Sequence, residues 1–490
     1  MSVRRYLRAF ALFTPIACAA WAIPAHQAIG VTRDPASGVI LGAAPLGTNV
    51  GPNEQPDSDP TARLRMEIRL KALGPATWFR YGGGAWADAY NWQTNVDTYA
   101  GAQARDQSND FTPSGPYASS ALDYLPFNSY MSEVKADGAQ GMVTVNYGSG
   151  TPELAGAWAA SIVANHDPVT QFNLGNEPYG CGEVNFPITA PPTNYTWEPN
   201  SPYFCPYNTM GSNPGMALIA SSFIAHAQPF IDAIKAADPA AQIVLPYAIS
   251  PPGDCGFVWN DAVMPALRGS YQGIDVLWYP SFTTTQESDA TILSYLSEIP
   301  VRAAAIKADI AQYAPGTFWM LGETNSSNQA TLTPDKPLGA VFAAGDVLSW
   351  LAQGAQNVDW WEQADAQNSS APTNRTYGMF NAVGNPQTPY WGWLLASKLA
   401  QPGALLSVDT ANTSANVLAF AATLANGQHA EAYVDISTTA SATVTSAIGS
   451  TPGPVTEWQY SNQDPAIVKQ VTAATQSLTL PPESITVLRR

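Results

Sequence analysis

Charge is scarce in this sequence. Asp, Glu, Lys and Arg make up 12% of its 490 residues, about half the usual share. The 21 cations are outnumbered by 38 acidic residues, for a formal net charge of −17. That balance repels nucleic acid phosphates, and no Lys/Arg cluster stands outside the extreme N-terminus, which excludes nucleic-acid binding. Histidine and cysteine are rarer still, with four of each. His26, His166, His226 and His429 lack ligand spacing and no C-x-x-C pair occurs, so no metal site is expected. The stretch "RYGGGAW" has neither the Lys of a P-loop nor G-x-G-x-x-G spacing, and no nucleotide or other cofactor is implied. After the N-terminal segment no apolar run reaches the ~20 residues that a spanning helix needs.

The N-terminal segment "MSVRRYLRAFALFTPIACAAWAIPA" places Arg4, Arg5 and Arg8 ahead of an apolar run that ends in small residues. This is the layout of a secretory signal over residues 1–28, and it predicts a secreted or periplasmic protein with no membrane partner after cleavage. A membrane anchor is disfavoured by the shortness of the run, and a lipid on Cys18 by the context Pro15, Ile16, Ala17. Cleavage would leave Cys181, Cys205 and Cys255 in an oxidising compartment. Cys181 and Cys205 are the expected disulfide, because both lie in one Pro/Asn/Tyr-rich insertion; Cys255 has no assigned partner.

What is abundant is Trp (15), Tyr (21) and uncharged polar side chains. The mix suits a cleft for a neutral, hydroxyl-rich ligand such as an oligo- or polysaccharide.

Short apolar, β-branched or aromatic runs alternate with helical patterns, the signature of βα units around a parallel sheet. Eight strands are predicted: "GVILGAAPLG" ending near Asn49, "ATWFRY" near Arg80, "GMVTVNY" near Asn146, "TQFNLGNE" near Glu177, "QIVLPYA" near Tyr247, "IDVLWYP" near Tyr279, "TFWMLGE" near Glu323 and "NVDWWE" near Trp361. Helices are predicted over 62–73, 124–137, 152–163, 216–237, 261–267, 288–312, 337–353 and 389–399. Thr151 as N-cap with Pro152 at the first position marks one start. Eight strands and eight helices predict an α/β fold, a (β/α)8 TIM barrel over 38–400. From 401 to 490 the pattern changes to short alternating strands such as "VLAFAATL" and "AEAYVDI", read as an antiparallel β-sandwich domain whose role is packing rather than carbohydrate binding.

In a chain with so few charges, two glutamates end predicted barrel strands: Glu177 in "NLGNEPYG" and Glu323 in "WMLGETNSS". A barrel brings the ends of strands four and seven to one face. Glycoside hydrolysis needs such a pair, one carboxyl to protonate the departing oxygen and one to attack the anomeric carbon, ~5 to 5.5 Å apart when configuration is retained. Arg80, at the end of strand two, is placed to hold a carboxylate by charge-assisted bonds, or else to form a structural ion pair. Gly82, Gly83 and Gly84 read as conformational. Asp88, Tyr90, Trp92, Asn146 and Tyr147 are candidate substrate contacts.

Asn-Glu after strand four and Glu after strand seven resemble the large clan of retaining TIM-barrel glycoside hydrolases. The resemblance implies that Glu177 is the acid/base, Glu323 the nucleophile and Asn176 the partner of the sugar 2-hydroxyl. It further implies that Tyr279 contacts the nucleophile and that Trp360 or Trp361 forms a platform for the sugar, the two pointing to opposite faces of the strand. Leu277 stands where the clan often has His.

The segments "RYGGGAWADAYNW", "VNYGSGTPELAGAW", "NLGNEPYG", "GETNSS" and "QGAQNVDWW" are similar, in the same order, to those of α-L-arabinofuranosidase-type enzymes, and "LGETNSS" also to β-glucuronidase and heparanase-like enzymes. A secreted arabinofuranosidase-like hydrolase is therefore expected. The alternatives are a β-glucuronidase, a β-xylosidase, an endo-acting glycanase, a transglycosylase, and a non-catalytic carbohydrate-binding barrel, the last disfavoured because both glutamates remain.

Overall fold

The computed structural model describes residues 38–50, 60–74, 77–84, 87–88, 90–97, 125–179, 214–249, 257–281, 286–328, 336–365, 377–450, 453–462, 464–473 and 475–490. The predicted signal over 1–28 and Cys181, Cys205 and Cys255 lie outside them.

Eight parallel strands close into a barrel: β1 Leu46–Val50, β2 Thr77–Tyr81, β3 Gln140–Val145, β4 Val169–Leu174, β5 Gln242–Tyr247, β6 Gly273–Trp278, β7 Phe318–Thr324 and β8 Val358–Trp360. Helices follow them in turn: α1 Pro60–Leu73, α2 Phe127–Asp137, α3 Pro152–Ala164, α4 Pro214–Ala237, α5 Phe257–Ala266, then α6 Asp289–Ser294 continued by a 3-10 turn into α7 Ile299–Tyr313, then α8 Pro337–Ala352 and α9 Thr388–Ala396. The Thr151 side chain accepts from the Leu154 N–H at the start of α3, with Pro152 in the first turn, so the local cap signal is used as read.

The predicted first strand divides in two. Val39–Ile40 pairs antiparallel with Leu405 and Leu406 outside the barrel, and only Leu46–Val50 enters it. Pro45 lies between them, and proline cannot donate to a ladder.

The C-terminal strands are β9 Leu405–Val408, β10 Val417–Thr423, β11 His429–Asp435, β12 Ala442–Thr445, β13 Pro454–Ser461, β14 Asp464–Ala473, β15 Ser477–Leu480 and β16 Ser484–Arg489. All but β12 and β15 join Val39–Ile40 in a seven-stranded sheet, and β12 pairs with β15. Val417, Tyr433, Val444, Val455 and Leu480 form the core between these two layers. Helix α8 packs on the sheet as well as on the barrel: a Cβ at Gly345 would meet both Leu296 and Leu418. Buried without interruption from Leu338 to Leu351, it is mostly apolar, as a helix covered on every side must be, and its one buried carboxylate, Asp346, accepts from Thr324 and Trp350.

Inside the barrel the side chains form levels. Ala44, Trp78, Met142, Val244 and Met320 cluster apart from the main core and fill the N-terminal end. Above them sit polar residues with no exposure at all: Arg80, Asp275 and Asp359, joined by Asn173. Gly47 and Gly322 make room for two of these carboxyl groups. A Cβ at Gly47 would overlap Asp359 Oδ1, and one at Gly322 would overlap Asp275 Oδ1.

Candidate active site

Arg80 comes up from β2 into the mouth of the barrel. Its Nη1 donates to Glu323 Oε1 at 2.7 Å and to Asn49 Oδ1 at 2.8 Å, and its Nη2 donates to Asn176 Oδ1 at 3.0 Å. Asp275 lies 3.5 Å from Nη2. Burial works against the guanidinium charge, but Glu323 and Asp275 more than offset it and raise its pKa.

Glu323 is 3% exposed, and each of its oxygens accepts from the protein. Arg80 and the Gly84 N–H (3.2 Å) serve Oε1, and the Tyr279 hydroxyl donates to Oε2 at 2.6 Å. Its direction depends on a bulge. The ladder between β7 and β6 pairs Leu321 with Val276 and Glu323 with Leu277, leaving Gly322 extra. Strict alternation from inward Met320 would turn Glu323 outward; the extra residue turns it into the mouth. Thr324 then faces out and donates to Asp346 of α8.

Glu177 stands three residues past the end of β4, in a left-handed conformation with φ 41°, after Gly175 at φ 81°. A non-glycine residue there stores on the order of 1 to 3 kcal/mol of strain. Asp88 over-determines the turn: its Oδ2 accepts from the Asn176 N–H (2.7 Å), and its Oδ1 from those of Tyr147 (2.9 Å) and Gly148 (3.0 Å). Burial pushes the Asp88 carboxyl up to about 7 against the pull of these donors. Glu177 itself is half-buried and takes a single long bond, 3.4 Å from the Tyr179 hydroxyl. Burial, with the nearby Glu323 as second cause, pushes it up to about 8.

Asn176 has its oxygen occupied by Arg80 and by the Gly84 N–H at 3.1 Å, while its buried Nδ2 has no partner among the described residues. The glycines of "YGGG" have distinct duties. Gly82 and Gly84 take positive φ; Gly83 is approached so closely that a Cβ would lie 2.5 Å from Trp361 Cζ3 and 2.6 Å from Arg80 Nη1.

The two tryptophans at the end of β8 point opposite ways. Trp360 faces α9, where it meets Trp393 and donates to the Tyr377 carbonyl. Trp361 covers Gly83 at the mouth and is partly exposed.

The remaining candidates are placed as supports. Asn146 caps its own loop, accepting from the Ser149 and Gly150 N–H groups and donating to the Tyr90 carbonyl. Tyr147, with no exposure, packs against Phe223 and Phe230 of α4. Asp88 has both oxygens committed to backbone N–H groups, and Trp92 stacks on Trp158. All are polar or aromatic residues near strand ends, which sequence alone does not separate from residues lining the cleft.

Asn49, Asp275 and Gly84, to which the sequence reading gave no binding or catalytic part in the site, complete the network. Asn49 donates to the Gly322 carbonyl (2.7 Å) and the Trp360 carbonyl (3.3 Å) while accepting from Arg80. Asp275 accepts from the Gly322 N–H (2.7 Å) and from Asn173, and thereby ties β6 to β7 and β4. Gly84 supplies a backbone N–H to both Asn176 and Glu323. The available signal was polar residues inside otherwise apolar strands, as in "GIDVLW" and "TQFNL". Among the described residues no group of three or more His, Cys, Asp or Glu is placed to hold a metal ion, and no helix is long and apolar enough to cross a membrane.

No protein-family model matches the sequence, and neither does any curated protein. Solved structures do match. The GH51 arabinofuranosidase of Xanthomonas axonopodis pv. citri is 16% identical with a TM-score of 0.64, covering 92% of this chain and 97% of its own. The α-L-arabinofuranosidase of Thermotoga maritima is 13% identical with a TM-score of 0.65, at 93% and 98% coverage. A family 44 xyloglucanase of Paenibacillus polymyxa is 13% identical with a TM-score of 0.57, at 92% and 97%. At such identities the likeness is one of architecture, and over nearly its whole length the chain has the (β/α)8-barrel and β-sandwich fold that these proteins share.

Proposed function

We propose that the protein is a retaining glycoside hydrolase acting on a neutral oligo- or polysaccharide, with Glu177 as acid/base and Glu323 as nucleophile. The observation that carries this reading is the asymmetry of the two glutamates. Glu323 is surrounded by donors on both oxygens, the setting of an acceptor-only carboxylate. Glu177 has one long hydrogen bond and a carboxyl pushed up to about 8, the setting of a group that carries a proton to deliver.

In the first step Glu323 attacks the anomeric carbon, the glycosidic C–O bond breaks, and Glu177 gives its proton to the leaving oxygen. In the second, Glu177 takes a proton from water, whose oxygen displaces Glu323 from the sugar. The partnerless Nδ2 of Asn176 supplies a donor for the sugar 2-hydroxyl, and Trp361 an apolar wall beside the same site.

For the glycone we favour α-L-arabinofuranoside, supported by the ordered sequence segments and by the presence of arabinofuranosidases among the fold neighbours. The xyloglucanase makes an endo-acting glycanase the second reading. The N-terminal signal layout supports export.

The test is hydrolysis of 4-nitrophenyl α-L-arabinofuranoside, β-D-xyloside, β-D-glucuronide, β-D-galactoside and β-D-galactofuranoside, beside viscosity loss of arabinan, xylan and xyloglucan. Wild type and Glu323→Gln are run in parallel. Cleavage of one class, abolished in the variant, supports the reading. No cleavage of any substrate by wild type sinks it in favour of a carbohydrate-binding barrel.

A further inference from the structure

In "GETNSS" the candidate nucleophile is followed, two residues on, by an asparagine that the double-displacement scheme does not use. Asn325 is 2% exposed. Its Oδ1 accepts from the Ser326 N–H at 2.6 Å and from the Ser326 hydroxyl at 3.2 Å, which orients the carboxamide. Its Nδ2 donates to the Trp361 carbonyl at 2.6 Å and to the Tyr377 carbonyl at 3.2 Å. A carboxamide has two N–H donors, so both are committed.

The two acceptors have different duties. Trp361 is the aromatic residue that covers Gly83 at the mouth. Its N–H donates to the Thr324 carbonyl at 3.0 Å, so the two residues after Glu323 hold Trp361 at both its N–H and its carbonyl. Tyr377 is an anchor. Its N–H donates to Asp365 Oδ1 (3.1 Å), its carbonyl also accepts from the Trp360 indole (3.0 Å), and its hydroxyl donates to the Asn328 carbonyl (2.9 Å). Bonded to Ser326 on one side and to this anchor on the other, the Asn325 carboxamide has no freedom to turn away from Trp361. The aromatic residue at the end of β8 is thereby fixed to the strand that carries Glu323, rather than to its own loop alone.

We propose that Asn325 is a positioning residue, which acts through Trp361 by setting where the apolar wall for the sugar stands relative to Glu323. The proposal rests on the glycoside hydrolase reading and deepens it by naming the side chain that keeps the sugar wall in place.

The experiment is a double-mutant cycle of Asn325→Ala and Trp361→Ala, read as kcat and KM on the aryl glycoside that wild type cleaves best, with a melting temperature for each variant. A wall that meets the sugar alike in the ground and transition states contributes uniform binding. KM is therefore expected to rise about 10-fold in Asn325→Ala, with kcat within about threefold of wild type. In the Trp361→Ala background the same change should move KM by less than about twofold, because the wall that Asn325 positions is already gone. KM effects that multiply across the cycle, an unchanged KM in Asn325→Ala, or a fall confined to kcat each overturn the proposal while leaving the hydrolase reading intact. Asn325→Asp keeps the acceptor for Ser326 and removes both donors, and it replaces the alanine variant in the cycle, with the same expected pattern, if alanine does not fold. Unfolding of both variants overturns the proposal, since the side chain then serves the barrel as a whole rather than the wall. Absence of hydrolysis by wild type overturns both the proposal and the hydrolase reading.

Discussion

Arg80 on the second barrel strand and Glu323 on the seventh meet across the mouth at 2.7 Å, both shielded from solvent. A single guanidinium thus touches the candidate nucleophile, Asn176 beside the candidate acid, and Asn49 on the first strand. The pair links four strands through one rigid fork, which a lysine cannot reproduce. It also means that the charge balance at the mouth and the stability of the barrel top are not separable.

Removing Arg80 should therefore damage both. Arg80→Leu is expected to lose about 3 to 5 kcal/mol of stability, because the buried carboxylates are left uncompensated, together with all measurable turnover. Arg80→Lys should keep more of the stability but still lose turnover by at least about 100-fold through the broken fork. Urea melts and initial rates on the same samples check this, and a fully active Arg80→Lys would refute the positioning argument.

The two glutamates should fail differently. Glu323→Gln abolishes turnover of every substrate, since no covalent intermediate forms. Glu177→Ala retains slow cleavage of aryl glycosides whose leaving groups need little protonation, and azide restores rate by attacking the intermediate without base assistance. Identical losses in both variants, whatever the leaving group, would remove the role assignment.

Acid catalysis sets a sign for the pH dependence. The Glu177 carboxyl, pushed up to about 8, holds its proton below that pH and loses it above. Because the protonated form is the donor, kcat/KM for substrates with poor leaving groups should fall on the alkaline side, by about tenfold per pH unit. In Glu177→Gln, assayed with an activated aryl glycoside, that alkaline limb should vanish. A limb persisting unchanged in the variant assigns it to another group.

Tyr279 donates to Glu323 Oε2 at 2.6 Å, and Tyr279→Phe removes only that oxygen. The expected effect is a roughly 10- to 100-fold lower kcat with a melting temperature close to wild type. If KM rises instead and kcat holds, the hydroxyl binds substrate in the ground state rather than orienting the nucleophile.

Gly83 carries a tight steric demand at the mouth. An added Cβ would sit 2.5 Å from Trp361 and 2.6 Å from Arg80, so Gly83→Ala should cost about 1 to 3 kcal/mol through overpacking and displace Arg80 from Glu323. Denaturation and kinetics of the variant measure both effects; a neutral substitution would show that Trp361 yields freely.

The eight barrel strands were legible because each is a short apolar run between turn residues, and the helices because their caps and periodicity are local. Glu177 and Glu323 stood out because carboxylates are rare here and both end predicted strands. The split of the first strand was not legible: nothing near Val39 and Ile40 shows that their ladder partners are Leu405 and Leu406. Strand β13, with "EWQY", and strand β14 were not among the strands read from periodicity; β13 pairs with β16 on one side and with β14 on the other.

Composition and periodicity, properties of neighbouring residues, determined by themselves the βα repeat, the change to β-strands after the barrel and the placing of two glutamates at strand ends. The direction of those glutamates was decided only in three dimensions. Gly322 becomes an extra residue because Asp275, on the adjacent strand, fills the space where a side chain would be and binds its N–H; that bulge turns Glu323 inward. Glu177 holds a left-handed backbone because Asp88 grips the residue before it from another loop. Both contacts join residues far apart in the chain, and no local pattern encodes a partner that only folding brings near.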